Sequence, residues 1–217
     1  YTVSYSSGPR ATPIIHEDKV YTLGTEGHLK CLSLDKGTVL WSHEFTRELG
    51  VKTPLWGFAG HPLIDGNRLI CLAGGEGSVA IAYDKDNGRE IWRALSTKEP
   101  GYAPPMIHEF NGRRQLILWH PEAVNALDPV TGKLLWSHAL SPVVRSGMSI
   151  PSPLKVGDQL FLTSFYNGSL MVKLDAQGPG AQVLWATQKI SEAEGYAVKR
   201  VNEAEGDVAR FKALGVS

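Results

Sequence analysis

Four short segments of this sequence carry aromatic and ionisable side chains of the types that bind small molecules. Large aromatic rings can stack against a flat ligand, and histidine, carboxylate or guanidinium groups can bind its polar atoms. The candidate ligand-binding residues are Trp56, His61, Tyr102, Trp119, His120, Glu122 and Arg145. The alternative is that these residues pack neighbouring parts of the fold against one another.

The histidines raise the question of a metal site, because imidazole is a common metal ligand. His16 and His108 each lie three residues after a repeated proline, and His43 and His138 each lie two residues after a repeated tryptophan. Residues at equivalent positions of successive repeat units lie in different units, so we predict no shared metal site. We also predict no catalytic residue, since the sequence has no serine-hydrolase elbow, phosphate-binding loop, zinc-protease motif or calcium-binding loop.

A fourfold internal repeat organises most of the chain. A proline opens each unit and a tryptophan ends it, and both recur about 45 residues apart. The prolines are Pro13, Pro62, Pro105 and Pro153, and the tryptophans are Trp41, Trp92, Trp136 and Trp185. Short runs rich in β-branched and aromatic residues alternate with polar turns in each unit, which predicts three or four short strands per unit. Repeats of this length and strand content are typical of the blades of a β-propeller.

The end of each unit contains a motif with a structural role. Two units share the pattern A-x-D-x-x-x-G-[KR]-x-x-W. We expect its aspartate to accept backbone hydrogen bonds in a turn, its glycine to take a positive φ, and its tryptophan to pack between units. The predicted docking residues are Trp41, Ala82, Asp84, Gly88, Trp92, Ala126, Asp128, Gly132, Trp136, Asp175 and Trp185.

The motif resembles the tryptophan-docking motif of PQQ-like β-propellers, a superfamily that includes quinoprotein dehydrogenases and BamB-like assembly lipoproteins. The resemblance covers residues 1–187 and implies an all-β fold. Such propellers usually have seven or eight blades, so four units favour a partial propeller over a rare four-bladed ring. Open blade faces would favour association with a protein partner or with a second half-propeller.

The resemblance implies two functions. The first is a non-enzymatic binding or assembly scaffold of the bacterial periplasm or cell envelope, with no cofactor. The alternative is a PQQ-dependent oxidoreductase, or a degenerate half of one, that binds PQQ with calcium. Such enzymes use a catalytic aspartate, a calcium site of glutamate and asparagine, and commonly a pair of adjacent cysteines, which this sequence lacks.

Residues 188–217 form a separate predicted unit. A seven-residue spacing of Ile190, Ala197, Ala204 and Phe211 predicts an amphipathic C-terminal helix. This segment resembles the helix that follows the core domain in the stomatin, prohibitin and HflK (SPFH) family. The resemblance would associate the chain with a membrane complex.

The composition narrows the possible partners and compartments. The 217 residues contain 22 basic and 22 acidic side chains, so the balanced charge argues against nucleic-acid binding. No apolar run is long enough to span a membrane, and the sequence contains no secretory leader. Cys31 and Cys71 both lie in apolar runs, where two buried free thiols are favoured over a disulfide.

Overall fold

The computed structural model describes residues 8–140, 149–164 and 168–187, and these form an incomplete β-propeller. Four antiparallel sheets follow one another along the chain, and each contains four strands in sequence order. We number these sheets blades 1 to 4. Blade 1 comprises β1 (Ile14–His16), β2 (Lys19–Leu23), β3 (His28–Ser33) and β4 (Val39–Glu44).

The other blades repeat this pattern. Blade 2 comprises β5 (Leu63–Asp65), β6 (Arg68–Leu72), β7 (Ala80–Asp84) and β8 (Glu90–Ala94). Blade 3 comprises β9 (Met106–Phe110), β10 (Arg113–His120), β11 (Ala123–Leu127) and β12 (Leu134–Ala139). Blade 4 comprises β13 (Leu154–Val156), β14 (Gln159–Ser164), β15 (Gly168–Leu174) and β16 (Ala181–Thr187).

One row of paired residues crosses each blade on the same face, and we call it the outward row. Residues that pair across antiparallel strands point to the same side of the sheet, so the strand register defines the row. The outward rows are Ile14, Tyr21, Cys31 and Trp41 in blade 1; Leu63, Ile70, Ala82 and Trp92 in blade 2; Met106, Ile117, Ala126 and Trp136 in blade 3; and Leu154, Phe161, Met171 and Trp185 in blade 4. Each row ends in the repeated tryptophan.

The hydrophobic core consists of three layers between successive blades. The outward row of blade 1 packs on Leu69 and Ile81 of blade 2. The next layer joins blades 2 and 3, and the third joins blades 3 and 4. Among the described residues no core layer joins blade 4 to blade 1. The partial four-bladed propeller predicted from the repeats is therefore the fold of this chain.

A short helix between blades 1 and 2 was not predicted from the sequence. Helix α1 (Phe45–Glu48) is held by the bond from the Leu49 N–H to the Phe45 carbonyl. Phe45 is fully buried, and its ring meets the Phe58 ring edge-on at 5.6 Å between centroids. Tertiary packing of Phe45 thus ends β4 and turns the chain inward, a long-range effect that local propensity does not encode.

Two further predictions concern the termini and the cysteines. The predicted helix over 188–214 lies outside the described residues. Cys31 and Cys71 are both buried free thiols, and burial raises the pKa of both. Within the ranges that the structure describes, no helix is long and apolar enough to cross a membrane.

Candidate functional site

The joint between blades 1 and 2 is centred on Trp41 and Gly88. The Trp41 indole Nε1 donates to the Lys85 carbonyl at 3.0 Å. Gly88 has φ of +74°, and a Cβ built on it would lie 2.8 Å from the Trp41 ring. Only a glycine allows this approach, since any side chain would enter the indole. His43 adds a second link, with its Nε2 at 2.8 Å from the Gly88 carbonyl oxygen.

The joint between blades 2 and 3 repeats this geometry. The Trp92 Nε1 donates to the Pro129 carbonyl at 3.3 Å, and a Cβ on Gly132 would lie 2.7 Å from the Trp92 ring. Asp128 holds the receiving turn, because its Oδ1 accepts the backbone N–H groups of Val130 and Thr131. Asp84 accepts two backbone N–H groups in the same way in blade 2. Each joint therefore consists of an indole on one blade and an aspartate–glycine turn on the next.

The joint between blades 3 and 4 is bonded differently. The Trp136 Nε1 donates to Gln115 Oε1 of its own blade at 2.7 Å. The turn of blade 4 is reached instead by Asn111 Nδ2, which donates to the Ala176 carbonyl, and by Arg113, which donates to the Gln177 carbonyl. The turn of blade 4 also differs from the turns of blades 2 and 3. Among the described bonds, Asp175 Oδ1 accepts only the Gln177 N–H in this turn.

The linkers that lead into the blades contact one another in a chain. Arg10 Nη1 donates to the Trp56 carbonyl at 2.7 Å, and the Trp56 and Tyr102 rings meet edge-on at 5.3 Å. The backbone N–H groups of Tyr102 and Ala103 both donate to the Ser149 carbonyl. Two aromatic ligand candidates, Trp56 and Tyr102, are thus brought together, and both take part in contacts between blades.

Three other candidates lie together in blade 3. Trp119 is 4 % exposed, and its Nε1 donates to the Pro151 carbonyl in the linker to blade 4 at 2.9 Å. His120 is buried, its Nδ1 accepts the Glu122 N–H at 3.3 Å, and its Nε2 lies 3.1 Å from the Asn125 side-chain amide. Because Nδ1 accepts a hydrogen bond, the neutral ring carries its proton on Nε2, the nitrogen that faces the Asn125 amide. Gly101 brings the Tyr102 linker against the His120 backbone.

Of the last two candidates, His61 is described by the structure and Arg145 is not. His61 is exposed, and it makes none of the hydrogen bonds or ring contacts that join the other candidates within residues 8–140. Arg145 lies outside the described residues.

The burial of His120 predicts a pH dependence of stability. Desolvation lowers the pKa of His120, and it also lowers the pKa of His108. A histidine with a lowered pKa in the folded state binds its proton more readily when unfolded, so the free energy of unfolding falls as the pH drops below about 6.5. We expect His120→Asn to reduce the slope of stability against pH between about pH 5 and 7, measured by urea unfolding at several pH values. An unchanged slope would mean that His120 titrates alike in both states.

Two clefts open on the described surface. The first has a volume of about 460 Å³ and lies between the loops of blades 1, 2 and 3. The charged residues on its rim are Lys52, Glu76, Lys98 and Glu122. The second, of about 450 Å³, is lined by Trp119 and by residues of blades 3 and 4. Glu122 is the only ligand candidate on the first cleft and Trp119 the only one on the second among the described residues, so neither cleft gathers the predicted set.

The donor set of the described residues does not suit a PQQ–calcium pair. Calcium takes six to eight oxygen ligands, several of them carboxylates. No three His, Cys, Asp or Glu side chains come close enough to hold a metal ion in the part of the chain that the structure describes. Asp84 and Asp128 hold their own turns, and the Trp56 and Tyr102 rings contact each other.

Several residues that join the blades were not identified from the sequence. Lys85 Nζ donates to Glu17 Oε2 of blade 1 and to Asp86, and these hydrogen bonds raise the Lys85 pKa. Arg114 of blade 3 pairs with the buried Asp65 of blade 2. Arg10 precedes Trp56 by the same 46 residues that separate Trp56 from Tyr102. The 46-residue spacing could have identified Arg10 from the sequence, whereas no local sequence pattern marks the two ion pairs.

The comparisons with known proteins agree with this fold. Residues 3–204 match the family model described as outer membrane protein assembly factor BamB. BamB from Moraxella catarrhalis is a similar solved structure, with 18 % identity, a TM-score of 0.59, and coverage of 85 % of this chain and 51 % of its own. The quinohemoprotein alcohol dehydrogenase of Comamonas testosteroni has 14 % identity and a TM-score of 0.54, with 85 % and 35 % covered.

A third similar structure is a europium-containing methanol dehydrogenase, with 14 % identity, a TM-score of 0.57, and coverage of 82 % of this chain and 41 % of its own. The chain thus spans about half of the BamB structure and less of the two dehydrogenases. At these sequence identities the three structures show only that this chain has the same fold. No curated protein matches the chain in sequence.

Proposed function

Since this chain belongs to the family described as outer membrane protein assembly factor BamB, we propose that it is a non-enzymatic propeller scaffold that binds another protein in the cell envelope. The observation that carries the proposal is that the ligand candidates already make contacts that hold the blades together. Trp56, Tyr102 and Trp119 all bond or pack between blades, and His120 is engaged inside blade 3. Side chains that hold a fold together are poorly placed to take up a cofactor as well.

The surface proposed for the partner is the 460 Å³ cleft between blades 1, 2 and 3. Its rim carries two lysines and two glutamates, and Val51 and Pro100 supply apolar surface between them. A polypeptide segment offers the matching chemistry, namely side chains of both charges with apolar groups between them. Loops carried on a rigid scaffold are common binding surfaces, and the blades provide that support.

Photo-cross-linking in the bacterial envelope tests this assignment. A photoreactive amino acid at Lys98, on the cleft rim, is expected to give a reproducible adduct with one protein. The matched control is the same replacement at Lys133, an exposed lysine of blade 3 that lies outside the cleft. The purified partner should bind the chain, and Lys52→Glu with Lys98→Glu should weaken that binding by tenfold or more, about 1.4 kcal/mol. Equal adducts from both positions would contradict the cleft as the binding surface.

Titration with PQQ and calcium by calorimetry separates the scaffold from the oxidoreductase alternative. We expect no saturable heat, because the described carboxylates are not grouped around a common point. Stoichiometric uptake of PQQ with calcium, followed by dye-linked oxidation of an alcohol, would overturn the scaffold proposal.

A further inference from the structure

Two asparagine–glycine pairs lie in turns of the described blades, and they differ in how the glycine is held. Asn87 precedes Gly88 in blade 2, and Asn111 precedes Gly112 between β9 and β10 of blade 3. A third pair begins at Asn167, which lies outside the described residues. The backbone nitrogen of a glycine attacks the preceding side-chain amide more readily than that of other residues, because no Cβ shields it. Whether the asparagine loses its amide therefore depends on the access to this nitrogen.

The Gly88 nitrogen is engaged and covered. Its N–H donates to the Asp84 carbonyl at 2.8 Å, and the residue is buried against the Trp41 ring of blade 1. Attack on Asn87 would require this nitrogen to leave both contacts, which means a local opening of the joint between blades 1 and 2. Asn87 is thus protected by the same docking that holds the two blades together.

The second pair forms an open hairpin turn. Phe110 and Arg113 pair directly, so only two residues form the loop, and the Gly112 N–H lies outside the strand ladder. Asn111 and Gly112 are both exposed, and their φ values of +49° and +70° are both positive, as a type I′ turn requires. A Cβ built on Gly112 would have no atom within 4 Å. Solvent base and water therefore reach this pair without any separation of the blades.

The Asn111 side chain also has a role in the joint between blades 3 and 4. Its Nδ2 donates to the Ala176 carbonyl in the turn of blade 4 at 3.2 Å. Trp136 bonds within its own blade at this joint, so the described hydrogen bonds from blade 3 to the turn come from Asn111 and Arg113. A carboxylate in place of the amide has no proton to donate and would bring a negative charge against the carbonyl oxygen. The change from amide to acid thus makes an attractive contact repulsive.

We propose that Asn111 deamidates spontaneously and that the product releases the turn of blade 4 from blade 3. The Gly112 N–H gives its proton to solvent base, and the nitrogen attacks Asn111 Cγ. The new C–N bond closes a succinimide ring, the Cγ–Nδ2 bond breaks, and ammonia leaves after taking up a proton from solvent. Water then opens the ring at either carbonyl and gives aspartate or isoaspartate. This slow modification goes beyond the scaffold function and stands whether or not the cleft binds a partner.

Peptide mapping by mass spectrometry, after incubation of the purified chain at mildly alkaline pH, tests the reaction. We expect aspartate and isoaspartate to form at Asn111 at least about tenfold faster than at Asn87, because reaction at Asn87 waits for the joint to open. Unfolding in urea should bring the two rates close together, since both pairs consist of the same two residues. Equal rates at the two sites of the folded chain would overturn the proposal.

Hydrogen exchange tests the effect on the joint. Asn111→Asp carries the α-linked product and is expected to speed exchange of the Asp175 and Gln177 N–H groups by about threefold to tenfold, as the loss of one hydrogen bond predicts. Asn87→Asp is the matched control, because it makes the same change in charge but keeps the acceptor oxygen for the Arg89 N–H. Both variants should keep the wild-type circular dichroism spectrum. Equal exchange of the blade 4 turn in the two variants would overturn its release.

Discussion

Trp136→Ala is expected to lower the free energy of unfolding by about 3–5 kcal/mol. Trp136 is 7 % exposed and belongs to the core layer between blades 3 and 4. Its loss leaves a cavity in that layer and removes the bond to Gln115 Oε1. Gln115 is 1 % exposed, and its Nε2 already lacks a partner, so its amide would lose its remaining bond. A buried amide without partners costs about 1–3 kcal/mol, which favours the upper end of the range.

Urea unfolding followed by circular dichroism measures this change. Leu134→Ala is the control, because Leu134 lies two residues away on β12 and is 46 % exposed. The control should change the free energy of unfolding by no more than about 0.5 kcal/mol. Equal effects of the two substitutions would show that Trp136 is not a central part of the layer.

Gly132→Ala is expected to destabilise the protein by about 2–5 kcal/mol, although it adds only one methyl group. The residue has φ of +71°, which costs an alanine about 1–2 kcal/mol. Its Cβ would lie 2.7 Å from two atoms of the Trp92 ring, so the indole must also move out of its place. Overpacking of this kind costs about 1–3 kcal/mol in well-packed sites.

Two comparisons isolate the contact with the indole. Gly112→Ala has nearly the same φ, +70°, with no atom within 4 Å of the new Cβ, so only the backbone cost should remain. In a Trp92→Ala background, Gly132→Ala should likewise cost only that amount. If the two substitutions add without interaction, then the glycine does not serve to admit the tryptophan.

Local patterns were enough to predict the blades. The repeated prolines and tryptophans give the number of units, and the alternation in β3 places Leu29 and Cys31 on the same covered face, where both are fully buried. Strand pairing within a blade is local in sequence, so turns and alternation determine it. The family resemblance is confirmed by the family model and by the solved structures. Helix α1 was missed because burial of Phe45 against Phe58 decides it.

The candidate site was less predictable because it depends on contacts between blades. The sequence marks Trp56 and Tyr102 as aromatic linker residues, and only the fold shows that their rings meet at 5.3 Å. In the sequence, His120 beside Pro121 has the features of a ligand-binding residue. In the structure it is 3 % exposed and faces Asn125. Nothing in the residue types distinguishes a side chain that binds a ligand from one that closes a joint. The role of the candidates in ligand binding stays a prediction.

The blade-by-blade arrangement of the core layers also has a kinetic consequence. Each sheet is built from strands adjacent in sequence, so its contact order is low, and the ordering of one blade requires no long loop closure. Each later blade adds to an existing face, as in a chain of nearest-neighbour units. Among the described blades, blades 2 and 3 each pack against a neighbour on both faces. Folding is therefore expected to nucleate around blades 2 and 3 and to spread from them to their neighbours.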